Sequence, residues 1–172
     1  MTIEEQYNRA KNQLNGRLFA PYQMEGVLYL LTMENQTSGP KSCILADEPG
    51  MGKTIQLIAT MLGNPKKSTL IVVPKSIITQ WVNEIKKFAP QMSVHVFDGP
   101  NRTLKEADVV IMPYSLLSTH EETPIHMKSW DRIILDEGHE IRNKSSKLFK
   151  SVCRLKSDIR CIVTGTPVFN SM

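Results

Sequence analysis

A single loop governs the architecture of this chain: Asp47-Glu48-Pro49-Gly50-Met51-Gly52-Lys53-Thr54. A short apolar run at residues 43–46 precedes it and is typical of a buried strand, whereas residues 55–62 have the composition of a buried helix. Strand, glycine-bearing loop, Gly-Lys-Thr and helix in this order are typical of a phosphate-binding loop. Glycines let the backbone N–H groups approach a phosphate, and the N-terminus of the following helix adds a favourable dipole.

The chemistry of such a loop assigns roles to its last two residues. Lys53 is expected to meet the β- and γ-phosphates of a nucleotide, and the Thr54 hydroxyl is expected to hold magnesium. Asp47 stands where the full pattern has its first glycine. The alternative interpretation is a glycine turn that caps an ordinary helix.

The bulk composition is that of one soluble globular domain. The chain has 172 residues, of which 41% are hydrophobic and 22% charged, and its net charge of +4 leans weakly towards a polyanionic partner. No secretory signal and no membrane-spanning run is recognisable, so we expect an intracellular protein with no membrane partner. The three cysteines, Cys43, Cys153 and Cys161, form no Cys-x-x-Cys pair and are expected to be free thiols.

Short β-branched runs alternate with helical segments along the chain, which predicts an α/β fold with a parallel sheet covered by helices on both faces. Strands are predicted at residues 43–46, 69–73, 93–97, 107–112, 130–135 and 160–163. Helices are predicted within residues 1–16, from Ala20-Pro21 onward, after Lys53, over 76–88 with Ser76 as N-cap, and over 145–155. Residues 119–129 are expected to form a polar loop in which His120 and His126 are solvated.

Three polar clusters directly follow predicted strands, and the carboxyl ends of parallel strands face one crevice. Besides the phosphate loop these are Asp136-Glu137 with His139, and Thr164-Gly165-Thr166. Asp136 could bind the magnesium held by Thr54, and Glu137 could polarise the attacking water. A charge pair at a helix N-terminus is the alternative for the two carboxylates. His139 and the Thr164 cluster could sense the γ-phosphate, or they could be an ordinary hydrogen-bonded turn.

Taken together, these segments resemble the Swi/Snf-type DNA-dependent ATPases, which are superfamily-two helicase-like motors. The first motif of that family commonly reads Asp-Glu-Met-Gly-Leu-Gly-Lys-Thr, so the family itself lacks the first glycine. Residues 134–143, which read Ile-Leu-Asp-Glu-Gly-His-Glu-Ile-Arg-Asn, look like motif II, and residues 163–170 look like motif III. Residues 70–88 and 111–117 resemble motifs Ia and Ib. Gln23 looks like the adenine-reading glutamine, although a solvated surface amide is its alternative.

The resemblance implies a RecA-like three-layer sandwich that forms the first lobe of a two-lobe motor. Residues 1–172 would be this single lobe, and the second lobe, which carries an arginine finger in the family, would be absent from the chain. ATP and Mg²⁺ are the implied cofactors, and duplex DNA is the implied partner. Lys75, Ser76 and Tyr114 lie in motifs Ia and Ib and are the implied contacts to nucleic acid. The lobe alone is expected to bind Mg-ATP and to hydrolyse it poorly.

Gly138, where many members have alanine, favours the branch of helicase-like transcription factors and post-replication-repair translocases. The compact form also resembles a global transactivator of large DNA viruses. Either branch implies a nuclear location and partners from chromatin or transcription. Two alternatives stay open: an RNA helicase lobe, which would share the phosphate loop and the Asp-Glu pair, and a nucleotide-gated interaction module that does not hydrolyse ATP.

Overall fold

A computed structural model describes residues 1–18, 20–100, 102–118 and 122–165. Along the chain its helices and strands are α1 (Ile3–Gln13), α2 (Pro21–Glu34), β1 (Lys41–Leu45), α3 (Lys53–Gly63), β2 (Thr69–Val73), α4 (Ile78–Phe88), β3 (Val94–Val96), β4 (Val109–Pro113), α5 (Pro124–Met127), β5 (Arg132–Leu135), α6 (Lys147–Arg154) and β6 (Ile159–Val163). Short 3₁₀ turns lie at Lys75–Ile77, Tyr114–Leu116 and Gly138–Ile141. Among the described residues, no helix combines the length and the apolar character that crossing a membrane requires.

The strands form one sheet in the order β1-β6-β5-β2-β4-β3, and every pair of neighbours is parallel. The predicted parallel α/β architecture is therefore confirmed. The predicted strands match the observed ones within two residues at each end, because β-branched runs bounded by proline or glycine mark buried strands well.

Side chains of the central strands alternate between two apolar cores. Ile71 and Val73 on β2 join the core beneath α1–α4, whereas Leu70 and Val72 join the core beneath α5 and α6. This is the period of two that a pleated strand imposes. Helices cover both faces of the sheet except over β1, where Ser42 and Ile44 are exposed on one face.

The opposite, amino-terminal edge of the sheet is fastened by a buried ion pair. Arg132, the first residue of β5, places its guanidinium 2.5 and 2.6 Å from the two carboxylate oxygens of Glu34 at the end of α2. The same guanidinium donates to the Asn64 carbonyl at 2.7 Å, and the Asn64 amide donates back to Glu34 at 2.7 Å. Breaking such a pair by removing one partner costs about 3–5 kcal/mol, because the other charge is left buried. The pair holds α2 and α3 against β5 on the side away from the phosphate loop.

Two local predictions are wrong. Ser76 is not the N-cap of the helix over 76–88, because Pro74 fixes an extended residue and the chain first makes a 3₁₀ turn, so that α4 begins only at Ile78. His126 is not solvated; it lies on α5 and is buried, with Nε2 2.8 Å from Ser151 Oγ and Nδ1 3.1 Å from Thr123 Oγ1. His120 lies outside the described residues. The cysteines are free as expected, Cys43 and Cys161 side by side in the sheet and Cys153 on the surface.

The buried His126 makes stability depend on pH. Burial, reinforced by the nearby Arg154 charge, lowers the pKa of His126 below its ordinary value of 6.5. The folded state then binds fewer protons than the unfolded chain, so the free energy of unfolding is fully retained above pH 6.5 and falls as the pH drops below it. One such proton contributes at most about 1.4 kcal/mol per pH unit. Denaturant unfolding between pH 7.5 and 5 should show this slope.

Two variants test the assignment to His126. His126→Gln should flatten the slope, and Arg154→Gln should make it shallower because it removes the second cause of the lowered pKa. A slope that is unchanged in His126→Gln would assign the pH dependence to other groups.

Candidate nucleotide-binding site

The phosphate loop owes its shape to two glycines in the left-handed region. Gly50 has φ 84° and Gly52 has φ 74°, a backbone conformation that side chains other than glycine rarely adopt. A Cβ on Gly52 would also lie only 2.4 Å from Nε2 of Gln23, so this position is crowded as well as strained. Helix α3 begins at the next residue, Lys53, and the loop therefore opens directly onto a helix N-terminus.

Within the loop, the Lys53 side chain donates hydrogen bonds, whereas the Asp47 side chain accepts one. The Lys53 ammonium donates to the carbonyls of Asp47 at 2.7 Å and of Glu48 at 3.0 Å, which holds it across the mouth of the loop. The Asp47 carboxylate accepts a hydrogen bond at 3.1 Å from the wholly buried Gln56 amide on α3. Asp47 thus replaces the first glycine of the general pattern with a side chain that ties the loop to its own helix.

Gln23 packs against the phosphate loop, where the sequence predicted it to lie. Its side chain is 8% exposed, and Nε2 donates to the Met51 carbonyl at 3.3 Å. The alternative of a solvated surface amide is therefore wrong, whereas adenine reading stays a prediction. Gly26, one turn further along α2, has Gln56 directly above it: a Cβ there would lie 1.9 Å from Gln56 Oε1. Helices α2 and α3 can approach this closely only because residue 26 has no side chain.

Asp136 is fixed through each of its polar groups. Its N–H donates to the Val72 carbonyl at 2.9 Å and its carbonyl accepts the Tyr114 hydroxyl at 2.7 Å. Of the two carboxylate oxygens, Oδ1 accepts the Glu137 amide at 2.8 Å and Oδ2 accepts the indole N–H of Trp81 at 2.7 Å. Asp136 itself is 7% exposed, so the carboxylate has little freedom to turn away from the crevice.

Glu137 follows in a strained conformation. It is the one residue other than glycine with a positive φ in the described part of the chain, at φ 52° and ψ 52°. Such a conformation costs of order 1–3 kcal/mol and persists where the surroundings impose it, often at functional sites. Its carboxylate oxygen Oε2 lies 3.2 Å from His139 Nδ1. The strained turn places Glu137 in the crevice beyond the strand ends.

Gly138 and Gly165 permit close packing around these residues. A Cβ on Gly138 would lie 2.3 Å from Cγ2 of Ile162, so alanine at this position would require that side chain to move. A Cβ on Gly165 would lie 3.0 Å from Cγ of Pro49 and 3.6 Å from Nζ of Lys53. The turn after β6 therefore lies directly beside the phosphate loop. The neighbouring Thr164 is buried and its N–H donates to the Leu45 carbonyl at 3.0 Å, whereas Thr166 lies outside the described residues.

These elements enclose one cavity of about 440 Å³ beyond the carboxyl ends of the strands. The predicted site residues that line it are Gln23, Pro49, Gly50, Gly52, Lys53, Thr54, Asp136, Glu137 and Gly165. Asp47, Glu48, Met51, His139 and Thr164 do not line it and contact or flank those that do. Helix α4 was not predicted to take part in the nucleotide site, yet its residues Gln80, Trp81 and Glu84 form a wall of the cavity. The apolar spacing over residues 77–88 indicated a packed helix, and only the fold brings that helix to the site.

Two oxygen-bearing side chains in the lining of the cavity suit a hard cation. The Thr54 hydroxyl and the Asp136 carboxylate both line it, and Asp136 retains acceptor capacity because each of its oxygens accepts a single hydrogen bond. Mg²⁺ typically takes one or two carboxylates and completes its shell with waters and substrate phosphates. Across the described ranges, no group of three or more His, Cys, Asp and Glu side chains could hold a metal by itself. The residues therefore fit a magnesium ion that arrives with a nucleotide.

Of the predicted contacts to nucleic acid, two lie on the surface and one does not. Lys75 has 71% of its side chain exposed and pairs with Asp98 at 3.2 Å, and Ser76 beside it is exposed. A backbone hydrogen bond from Gly99 and the Lys75 charge lower the pKa of Asp98. Tyr114 is 4% exposed, and burial, with the Asp136 charge, raises the pKa of its hydroxyl above the ordinary value. Its hydroxyl remains a donor to Asp136, and its burial argues against the predicted DNA contact.

Comparison with known proteins assigns the family. The family model of the SNF2-related domain matches residues 22–172, and the chain therefore belongs to the SNF2-related domain family. Among solved structures, the Sulfolobus solfataricus SWI2/SNF2 ATPase core in complex with dsDNA aligns with a TM-score of 0.82 at 32% identity. The alignment covers 92% of this chain and 34% of that one. The expected RecA-like α/β fold is confirmed.

Curated relatives show the same similarity over a small part of their length. The ISWI chromatin-remodeling complex ATPase ISW1 of Saccharomyces cerevisiae is 32% identical over 187 residues, which cover 99% of this chain and 16% of that protein. The DNA excision repair protein ERCC-6-like of Danio rerio is 36% identical, covering 88% of this chain and 11% of that protein. The putative ATP-dependent helicase/translocase YwqA of Bacillus subtilis is also 36% identical, covering 88% and 18%.

Lys53→Ala should abolish the stabilisation of the chain by Mg-ATP, because no other described cation lines the cavity. A ligand at a hundredfold excess over its dissociation constant stabilises a fold by about 2.7 kcal/mol, which thermal melts detect readily. Lys67→Ala, in the exposed loop two residues before β2 at the opposite edge of the sheet, is the control and should keep the full shift. An undiminished nucleotide-induced shift in Lys53→Ala would contradict the assignment.

Proposed function

We propose that this chain is the ATP-binding lobe of an ATP-dependent translocase or remodelling motor that acts on double-stranded DNA. The observation that carries the proposal is the single cavity shared by Lys53, Thr54, Asp136, Glu137 and Gly165. A phosphate loop alone would fit many nucleotide-binding proteins. A carboxylate pair at the end of β5, which β6 separates from the strand before the phosphate loop, adds the metal-binding and water-orienting groups that nucleotide hydrolysis uses.

The roles proposed for individual residues follow from their positions. Lys53 exchanges the carbonyls of Asp47 and Glu48 for the β- and γ-phosphates of ATP, and the N–H groups of the loop surround those phosphates. Thr54 and Asp136 hold Mg²⁺, which when bound neutralises charge on the phosphate oxygens. Glu137 orients the attacking water. Gln23 reads the adenine from the rim formed by α2.

His139 and the turn Thr164-Gly165-Thr166 are proposed to report nucleotide state. His139 Nδ1 lies beside the Glu137 carboxylate, and Gly165 lies beside Pro49 and Lys53. A phosphate that drew the Lys53 ammonium away from its present carbonyl partners would therefore change the contacts around Gly165. The contacts support a path from the γ-phosphate to the end of β6.

The cavity lacks the arginine that a complete motor site uses. None of the described arginines lines it; Arg132 is committed to Glu34, and Arg160 donates to the carbonyls of Val152 and Leu155. We therefore propose that residues 1–172 form one lobe and that a second RecA-like lobe supplies the arginine. This chain aligns with 34% of the solved SWI2/SNF2 core, which supports the proposal of a second lobe.

Duplex DNA is the proposed partner, contacted through its phosphates by Lys75 and Ser76 at the exposed turn before α4. The matched structure holds dsDNA, and the relatives are named as chromatin-remodelling, DNA repair and DNA helicase proteins, which favours DNA over the RNA alternative. The same names support a nuclear location and chromatin or transcription partners. The branch of helicase-like transcription factors, and the viral global transactivator within it, rests on Gly138 and on the compact form alone.

The chain by itself should bind Mg-ATP but release phosphate very slowly, and duplex DNA should not restore turnover. An arginine finger contributes about 10³–10⁵ in turnover in related phosphoryl-transfer enzymes, and its absence outweighs what the described residues supply. Phosphate release is measured with and without duplex DNA, beside a protein that also contains a second lobe. In that two-lobed protein, Glu137→Gln should retain nucleotide affinity and lose turnover.

Three outcomes decide between the candidate functions. Robust DNA-stimulated turnover by the 172-residue chain would refute the half-site proposal. Nucleotide binding without turnover in the two-lobed protein would favour the non-hydrolysing interaction module. Stimulation by RNA and not by duplex DNA would favour the RNA helicase.

Binding of the lobe to duplex DNA should be weak and sensitive to salt without preference for sequence. Each neutralised phosphate contributes about 0.9 to the slope of log affinity against log salt concentration, and one exposed turn offers few contacts. Lys75→Ala should lower the slope by about one contact, whereas Lys67→Ala should leave it unchanged. Sequence-specific binding that persists at high salt would contradict a backbone-directed contact.

A further inference from the structure

We propose that Trp81 is a positioning residue for the magnesium-binding carboxylate, which it holds in place by donating its indole N–H to Asp136. The two residues are 55 positions apart in the chain, and Nε1 of Trp81 lies 2.7 Å from Oδ2 of Asp136. The inference rests on the proposed binding of Mg-ATP. It adds a residue of α4 to the machinery otherwise built from the phosphate loop and the ends of β5 and β6.

The contact locks the carboxylate and leaves it able to bind metal. Among the described residues, Trp81 provides the one side-chain donor to this carboxylate, and the Glu137 amide provides the other hydrogen bond. Two contacts on two different oxygens fix the rotation of the group about its χ2 bond. A carboxylate has about four acceptor positions, so about two remain for a metal or a water.

An indole suits this task for chemical reasons. Its N–H is a donor without acceptor capacity, so it can hold an anion but cannot itself ligate a cation. A hydrogen bond to an ionised acceptor is shorter and stronger than one between neutral groups. The ring of Trp81 is 2% exposed and packs in the core beneath α4, which keeps the donor from rotating away.

Trp130 offers a comparison within the same chain for the contact made by Trp81. Buried tryptophans usually satisfy their N–H group, and Trp130, at 3% exposed, does so by donating to the Ile125 carbonyl at 3.0 Å. Trp81 donates to a carboxylate that lines the cavity, and Trp81 lines the cavity as well. The two tryptophans are thus equal in burial and differ in what their N–H groups hold.

The position of Trp81 also joins two parts of the proposed motor. Helix α4 begins directly after the exposed turn that carries Lys75 and Ser76, and Trp81 lies in its first turn. The residue therefore lies between the surface proposed for DNA and the group proposed for the metal.

The test is a magnesium titration of nucleotide binding, followed by the fluorescence of a labelled ATP analogue. Trp81→Phe keeps most of the ring and loses the donor, and it should raise the magnesium concentration needed for half-maximal binding about tenfold, as loss of an outer-shell partner typically does. Binding in EDTA should change much less than the magnesium requirement, because the lost hydrogen bond acts on the carboxylate of Asp136. Trp130→Phe is the matched control and should leave the magnesium requirement unchanged, whatever it does to stability.

A second variant keeps the test decisive if Trp81→Phe does not fold. Replacing the indole of Trp81 by benzothiophene retains the shape of the ring and substitutes sulfur for the N–H, and the same tenfold shift is expected. In proton–nitrogen NMR spectra of the parent, the Trp81 indole signal should move on addition of Mg-ATP and in Asp136→Asn, while the Trp130 signal stays in place.

The outcomes separate this inference from the function on which it rests. A parent chain without magnesium-dependent nucleotide binding would overturn both. A parent that binds, beside Trp81 variants whose magnesium titration matches that of the parent, would overturn the role of Trp81 and leave the proposed function standing. A shift confined to the Trp81 variants supports the positioning role.

Discussion

The site depends on the way Asp136 is held. Its backbone N–H belongs to the sheet, its carbonyl accepts from Tyr114, and its two carboxylate oxygens accept from Glu137 and Trp81. An ionised group that is nearly buried is stabilised only if hydrogen bonds replace the water it has lost. Here two hydrogen bonds reach the carboxylate, from the Glu137 amide and from the Trp81 indole on α4, while the sheet and Tyr114 hold the backbone of the same residue. A carboxylate held in this way loses little conformational freedom when a ligand binds, which is the advantage of a preorganised site.

The second constraint is the close approach of the elements around the site, which glycine permits because it has no side chain. The phosphate loop, α2 and the turn after β6 meet across contacts in which Gly52, Gly26 and Gly165 each have a neighbour within 3.0 Å of where a Cβ would stand. The protein interior tolerates few voids and little overpacking, so these positions fix how near the three elements can come. On the other side of the same contacts stand Gln23, Gln56 and Pro49. The glycines are therefore as much a part of the site as the charged residues.

The molecule divides its polar groups between two edges of one sheet. At the amino-terminal edge, Glu34 and Arg132 are buried and hydrogen-bonded to each other and to Asn64. At the carboxyl edge, Lys53 is held by carbonyls that a phosphate can replace, and Asp136 retains open acceptor positions. A buried pair of the first kind stabilises the arrangement of α2 and α3 against the strands. The polar groups at the carboxyl edge stay available to a ligand. Parallel strands lead into loops at that edge, and the N-termini of the following helices direct their N–H groups there.

The sequence by itself determined the order of the strands and of the longer helices, the parallel sheet and the convergence of its loops, because strand runs and glycine loops are local patterns that report directly on burial and backbone shape. It predicted a polar loop where the structure has the short helix α5. It also identified Lys53, Thr54, Asp136 and Glu137 as candidates, since their neighbours in the chain define their positions. What it did not determine were contacts between distant segments. The binding of Trp81 to Asp136, the use of Gln56 to hold Asp47, and the burial of His126 against Ser151 and Tyr114 against Asp136 were decided by the tertiary structure. An apolar stripe on a helix shows that it packs, but the partner of each side chain depends on which strand ends lie beneath it, and only the folded sheet sets that.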